Sequence, residues 1–302
     1  MGWNTCLCLL LLIKYIENFE HESLKLKVHP PHRKPTNRII GGHEAKPHSY
    51  PYQVGLSFNN GGTFCGGALI SRNYVLTAAH CAEEIFQYSN NKVDVILGAH
   101  NISAKENTQV RLEGIVTKIH ESYNQVLHRN DIAVIKLNQT VQTSYAIQIV
   151  NLPRHQDAGK TYENKFALAT GWGMKKDKEP FTIDDMSDTL NVVSMPVMNT
   201  DVCTEYYNDE DFIYVTQSHL CTSGYRNKGI CSGDSGGPLV YVDTLIGISS
   251  FGSLKCEECY PSVFTRIGSF LHWIGENTDV DIHDKRCGDL GNDVTLFDDK
   301  MS

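Results

Sequence analysis

Tyr52-Gln53-Val54-Gly55-Leu56-Ser57-Phe58 alternates apolar and polar side chains and runs straight into Asn59-Asn60-Gly61-Gly62. A period of two places alternate side chains on opposite faces of a strand, and an Asn/Gly run supplies the residues that a tight turn demands. The same unit recurs along the chain. Val93-Asp94-Val95-Ile96-Leu97, Ile132-Ala133-Val134-Ile135 and Leu245-Ile246-Gly247-Ile248 are short β-rich runs bounded by turn residues. Many short strands separated by frequent turns predict an all-β protein, either a sandwich or barrels. One helix is predicted near the end, about residues 268–276, where Phe270, Leu271 and Ile274 share a face.

The chain has 302 residues, 41% of them hydrophobic and 21% charged, enough for one large domain or two small ones with proper cores. This is too apolar for a disordered chain, and 24 Gly with 10 Pro excludes a collagen-like repeat. No apolar run approaches the roughly 20 residues of a membrane-spanning helix, so no membrane partner is expected. A net charge of −8 argues against nucleic acid as a partner.

Four segments follow from local composition. Residues 1–19 contain the apolar run Cys6-Leu7-Cys8-Leu9-Leu10-Leu11-Leu12-Ile13 and read as a signal peptide of uncertain end, which predicts a secreted, extracellular protein. No basic residue precedes that run, and a buried strand or helix segment is the alternative reading. Residues 20–38 are basic and broken by Pro30, Pro31 and Pro35, as expected of a propeptide open to cleavage. Residues 39–278 form the main domain. Residues 279–302 carry seven Asp against three Lys or Arg and read as an acidic tail.

Three stretches carry chemistry: Thr77-Ala78-Ala79-His80-Cys81, Asn130-Asp131-Ile132-Ala133-Val134 and Gly233-Asp234-Ser235-Gly236-Gly237-Pro238. Each alone reads as structural. Together, in the order His, Asp, Ser and with these flanks, they resemble the trypsin/chymotrypsin family of serine proteases. The resemblance runs from about Ile39 to Thr278. It implies two six-stranded antiparallel β-barrels with the active site between them and a C-terminal helix. It also implies a catalytic triad of His80, Asp131 and Ser235, and an oxyanion hole from the backbone N–H groups of Gly233 and Ser235. A serine hydroxyl needs a base to become a nucleophile at neutral pH, and an imidazole oriented by a carboxylate is such a base.

The resemblance further implies a zymogen cut after Arg38 by an Arg-cutting activating protease, whereupon the new amine of Ile39 pairs with Asp234. The pocket floor falls on Gly229, its walls on Gly252 and Ser262, with Ile230 beside the floor and Ser249 on the far wall. An Arg or Lys side chain placed against Gly229 would find no counter-charge. The expected preference at P1, the residue before the cut bond, is for Leu, Met, Val or Ala, with Phe and Tyr admitted. That makes the chain elastase-like or chymotrypsin-like. Ser250-Phe251-Gly252 is expected to receive the substrate chain as an added strand, with Phe251 where the family usually has Trp. Phe264, beneath the pocket, stands for a usual Tyr.

By the same resemblance Cys65 pairs with Cys81, Cys203 with Cys221 and Cys231 with Cys256. Ala167 and Val192 are read as the two vacated halves of a fourth bridge. The remaining Cys259 and Cys287 are expected to pair and to tie the acidic tail to the pocket rim. The calcium loop of many relatives reads Leu97-Gly98-Ala99-His100 here, with Glu106 its main carboxylate, so no metal and no cofactor are expected. Asn101-Ile102-Ser103 and Asn138-Gln139-Thr140 are glycosylation sequons. Expected partners are peptide and protein substrates, the activating protease and protein inhibitors of serine proteases, acting on a monomer. Two other readings share the fold: an idle binding or regulatory protein, and a cascade protease dedicated to one protein substrate.

Overall fold

The computed structural model describes residues 40–174, 183–207, 215–253 and 256–282. Residues 1–39, which include the expected signal peptide and propeptide with Arg38 as well as Ile39, and residues 283–302, with Cys287 and most of the expected acidic tail, lie outside the described residues. Strand β1 (His43–Glu44) comes first. Six strands then close into a barrel: β2 (Gln53–Phe58), β3 (Thr63–Leu69), β4 (Tyr74–Thr77), β5 (Lys92–Leu97), β6 (Val110–Ile119) and β7 (Ala133–Leu137), in the spatial order β2-β3-β4-β7-β6-β5. Six more form the second barrel: β8 (Phe166–Gly171), β9 (Asn191–Met198), β10 (His219–Thr222), β11 (Pro238–Tyr241), β12 (Thr244–Phe251) and β13 (Ser262–Arg266). Their order is β9-β10-β13-β12-β11-β8, closed by the β8–β9 pairing, and every pairing is antiparallel. Closure removes the open edges that antiparallel sheets otherwise expose.

The alternating segment 52–58 is β2, and its register against β3 pairs Leu56 with Cys65 and Val54 with Gly67. Val54 and Leu56 point into a core shared with Leu76, Val95 and Ile135. The predicted C-terminal helix is a 3-10 turn, Ile267–Phe270, continued by α3 (Leu271–Asn277). Its buried Phe270, Leu271, Trp273 and Ile274 pack on the core of the first barrel, although the helix leaves the second. A helix α1 (Ala79–Ser89) and a helix α2 (Thr200–Tyr207) had no predicted counterpart.

Two expectations change. Residues 279–282 belong to the packed domain: Asn73 Nδ2 donates to Asp279 Oδ2 at 2.6 Å, and Val280 packs on the first core. Ala167 and Val192 are not two halves of one lost bridge. On the β8–β9 ladder Ala167 faces Met195 and Val192 faces Thr170, which places them too far along the strands to be bonded. Val192 instead packs with Ala45, and Ala167 with Leu220 and Leu239. The three other bridges form as expected: Cys65–Cys81, Cys203–Cys221 and Cys231–Cys256.

The barrels meet along a seam of bare backbone. Gly66 N–H donates to the Ser235 carbonyl at 2.7 Å, and Thr77 Oγ1 donates to the Gly66 carbonyl at 2.8 Å. A side chain on Gly66 would strike the Gly237 backbone, and one on Gly236, whose φ is +75°, would strike Thr77 and Gly66. Glycine is required at both by this approach.

Candidate active site

His80 lies in the first turn of α1, which the Cys65–Cys81 disulfide fastens to β3. Its Nδ1 is 2.8 Å from Asp131 Oδ2, and its backbone N–H donates to Asp131 Oδ1 at 2.9 Å. Because an ionised carboxylate only accepts, Nδ1 carries the proton and Nε2 is left basic. Asp131 is fully buried, on the turn before β7. Ser250 Oγ donates to its Oδ2 at 2.6 Å, and Thr265 Oγ1 donates to its main-chain carbonyl at 2.8 Å. Burial disfavours both charges, but the pair overcomes it. The Asp131 carboxyl is held below its ordinary value by the His80 charge and by these hydrogen bonds, and the His80 imidazole is held above its own by Asp131.

Ser235 sits where the second barrel touches the first, in the turn between Cys231 and β11. Gly233 adopts φ +93°, a region that L side chains rarely enter, and a Cβ there would also press on Met186. Within this turn the N–H groups of Asp234, Gly236 and Gly237 donate to the carbonyls of Cys231, Ser249 and Asp234. Those of Gly233 and Ser235 have no acceptor among the described residues, so both can serve a developing oxyanion.

Asp234 is 2% exposed. Its Oδ1 accepts from Gly173 N–H at 2.9 Å and its Oδ2 from Cys231 N–H at 3.0 Å. The carboxylate fills the space that side chains on Gly171 and Gly173 would need. Burial, only partly offset by the two N–H groups, pushes its pKa up from 3.8 to about 7. No cation faces it among the described residues. Ile40 is buried, and its carbonyl accepts from Gly229 N–H at 3.1 Å, which anchors the start of the described chain beside Gly229.

Three of the expected pocket residues, Gly229, Ile230 and Ser262, come together. Ser262 Oγ accepts from Ile230 N–H at 3.2 Å and lies 3.2 Å from where a Cβ on Gly229 would stand. Ile230 packs on the second core with Phe264, and nothing lies within 4 Å of a Cβ on Gly252. Ser262 thus crowds the space above Gly229, while the space beside Gly252 is open. Ser249 is buried on the same sheet. Phe251 has an aromatic surround: His128 at 4.9 Å, Tyr207 at 5.5 Å and His219 at 5.7 Å between ring centroids. Burial lowers the pKa values of His128 and His219, which keeps imidazolium charge away from the His80–Asp131 pair.

Sequence reasoning assigned Ser250 only to the substrate strand. The β12–β13 ladder pairs Ser249 with Phe264 and Phe251 with Val263, so Ser250 is the extra residue of a bulge. That bulge swings its hydroxyl onto Asp131. An irregularity of register leaves no mark in the order of residues. Elsewhere, Cys259 is exposed and its Sγ lies 3.6 Å from Asn227 Oδ1. Its expected partner Cys287 is outside the described residues. Asn138 is exposed, and Asn101 Oδ1 accepts from the N–H groups of Ser103 and Ala104. Glu106 Oε2 accepts from His100 N–H at 2.7 Å.

The model of the trypsin family matches residues 39–274. Brachyurin from Leptuca pugilator is 41% identical over 243 residues, which cover 80% of this chain and 99% of that protein. Chymotrypsin from Phaedon cochleariae is 37% identical, covering 82% of this chain and 84% of its own. Chymase from Papio hamadryas is 36% identical, covering 81% and 92%. A solved structure of HL collagenase is similar with a TM-score of 0.67 at 31% identity, and it covers 80% of this chain and 100% of that one.

Two measurements follow from this geometry. Ser250→Ala removes a hydrogen bond to a buried charge, worth about 1.5–3 kcal/mol, so phosphonylation of Ser235 by a fluorophosphonate should slow roughly tenfold or more. An unchanged rate would show that the bond does not support the imidazole. For Asp234, a raised folded pKa means that the native state holds the proton more tightly than the unfolded chain between pH 4 and 7. The contribution of this group to stability is therefore fully present below pH 4 and is lost as pH rises through about 7, by up to about 4 kcal/mol. Calorimetry of the full-length chain should show that fall, and Asp234→Asn should flatten it; equal slopes would rule it out.

Proposed function

We propose, from the premise that this chain belongs to the trypsin family of serine proteases, that it is a secreted endopeptidase made as a zymogen and set working by cleavage after Arg38. The enzyme class follows from the family and from the site, where a buried carboxylate orients a histidine on the seam that carries Ser235. His80 takes the hydroxyl proton as Ser235 attacks the peptide carbonyl, and returns it to the leaving amine. Asp131 stabilises the imidazolium formed between those steps. The N–H groups of Gly233 and Ser235 receive the oxyanion, and water then releases the acyl group by the same route.

The observation that carries the zymogen reading is Asp234, a buried carboxylate with two N–H partners and a pKa near 7. A new ammonium on Ile39, next to the buried Ile40, would supply its counter-charge. The crowded floor at Gly229, Ile230 and Ser262 supports P1 side chains that are uncharged and of medium size: Leu, Met, Val or Ala, with Phe and Tyr admitted. Arg and Lys are disfavoured there, so the activating protease is a different enzyme. Protein substrates, inhibitors that mimic them and a monomeric state belong to the same reading. So do a Cys259–Cys287 bridge and glycans on Asn101 and Asn138.

The test is a P1 scan on protein cut after Arg38, with matched peptides ending in Arg, Phe, Leu, Val and Ala. Leu, Val or Ala ahead of Phe, and Arg last, is the expected order; Arg first would sink the pocket reading. Ser235→Ala should lower kcat about a million-fold, and full activity in that variant would refute the mechanism. Arg38→Gln should stay inactive after treatment with trypsin, whereas normal activation would move the cleavage site elsewhere.

A further inference from the structure

His219 is 1% exposed and takes no part in the proton transfers described above, yet both of its ring nitrogens are engaged. Nδ1 accepts from Thr216 N–H at 2.9 Å, and Nε2 lies 3.0 Å from the His128 carbonyl. A backbone N–H only donates and a carbonyl only accepts, so one state satisfies both: the neutral ring with its proton on Nε2. Burial favours that neutral form. The residue is itself fixed, because its N–H donates to the Thr216 carbonyl at 2.9 Å and the Arg266 guanidinium donates to its carbonyl.

The bond to His128 runs from β10 of the second barrel to the β6–β7 connection of the first, just ahead of Asp131. That connection is strained. His128 (φ +48°) and Asn130 (φ +54°) both stand in the left-handed region, which side chains other than glycine occupy where their surroundings hold them. Two of the holds come from one place. β10 and β13 pair His219 with Thr265, which puts both side chains on one face of the sheet, and Thr265 Oγ1 donates to the Asp131 carbonyl at 2.8 Å. His219 and Thr265 thus grip the turn at its two ends, residues 128 and 131, while Ser250 takes the carboxylate.

We propose that His219 is a positioning residue for the reaction: as its Nε2–H tautomer it holds the strained turn that carries Asp131, and so sets the carboxylate against His80. The inference rests on the roles given above to His80, Asp131 and Ser235, and adds a residue that acts on Asp131 through the backbone. Without the donor, the His128 carbonyl is left unpaired and the turn relaxes toward ordinary backbone angles. Asp131 then moves with it, and the two bonds that orient His80 lengthen together. A ring of the same shape with its proton on Nδ1 would not serve, since it would face the His128 carbonyl with a lone pair and Thr216 N–H with a second donor.

The test compares His219→Gln, whose side-chain N–H can stand in for Nε2–H, with His219→Met, which is of similar length and has no donor. Both are cut after Arg38 beside the parent, and the phosphonylation of Ser235 by a fluorophosphonate is timed. His219→Met should react roughly fivefold or more slowly, and His219→Gln within about twofold of the parent. A parental rate in His219→Met would overturn the proposal. So would a His219→Gln as slow as His219→Met, because side-chain shape would then explain the loss. If His219→Met does not fold, His219→Gln decides alone: a parental rate supports the donor and a slow one refutes it. Nitrogen NMR of the labelled parent needs neither variants nor activity. The His219 ring should carry its proton on Nε2, and the other tautomer would overturn the proposal. A parent that is not phosphonylated at all, with Ile39 shown to be its new N-terminus, would strike the enzymatic reading instead, and the downfield proton between His80 Nδ1 and Asp131 would then decide. It should shift or fade in His219→Met and return in His219→Gln; an unchanged signal in His219→Met would show that His219 does not hold Asp131 in place.

Discussion

The buried charge of Asp131 is the constraint on which the rest of the molecule depends. An ionised carboxylate at zero exposure is tolerable only if donors surround it. Here the donors come from both barrels. His80 gives a ring N–H and a backbone N–H from α1 of the first, while Ser250 comes from β12 of the second. Thr265 on β13 holds the Asp131 carbonyl as well. The geometry of the His80–Asp131 pair and the join between the barrels are thus one set of bonds. Glycines at 66 and 236 follow from the same demand, since the backbones must approach closely enough for these short side chains to reach across.

Asp234 poses the same problem with a different solution. Its two N–H partners are too few to hold the full charge, and its pKa near 7 records the deficit. One carboxylate is satisfied from within the fold, and the other has no cation beside it among the described residues.

The strands were legible in the sequence where one face is buried and the other wet, as in 53–58, because alternation reports that environment directly. The C-terminal helix showed for the same reason, through Phe270, Leu271 and Ile274. Helix α1 did not. It follows a strand without a side-chain cap, has no acidic residue in its first turn, and is tied down by a disulfide. The stretches around His80, Asp131 and Ser235 were legible as motifs, and the structure brings the His80 and Asp131 side chains into contact. The role of Ser250 was not, because it depends on one extra residue in a ladder, and ladder register is a property of two strands at once. The misplaced pair Ala167 and Val192 failed for that reason too: each is apolar and buried, and only the register shows that they never meet.

The crossing of the chain ends has a consequence for how the protein comes apart. Strand β1 precedes the first barrel in sequence but pairs with β9 of the second, and α3 follows the second barrel but completes the core of the first. Each barrel therefore finishes its hydrophobic surface with a segment from beyond the other. Neither half is a self-sufficient folding unit, and the two should melt in one cooperative transition rather than in sequence. A nick in the connection between β7 and β8 would leave two fragments still clasped by those exchanged ends, so cutting the covalent link would not by itself release either barrel.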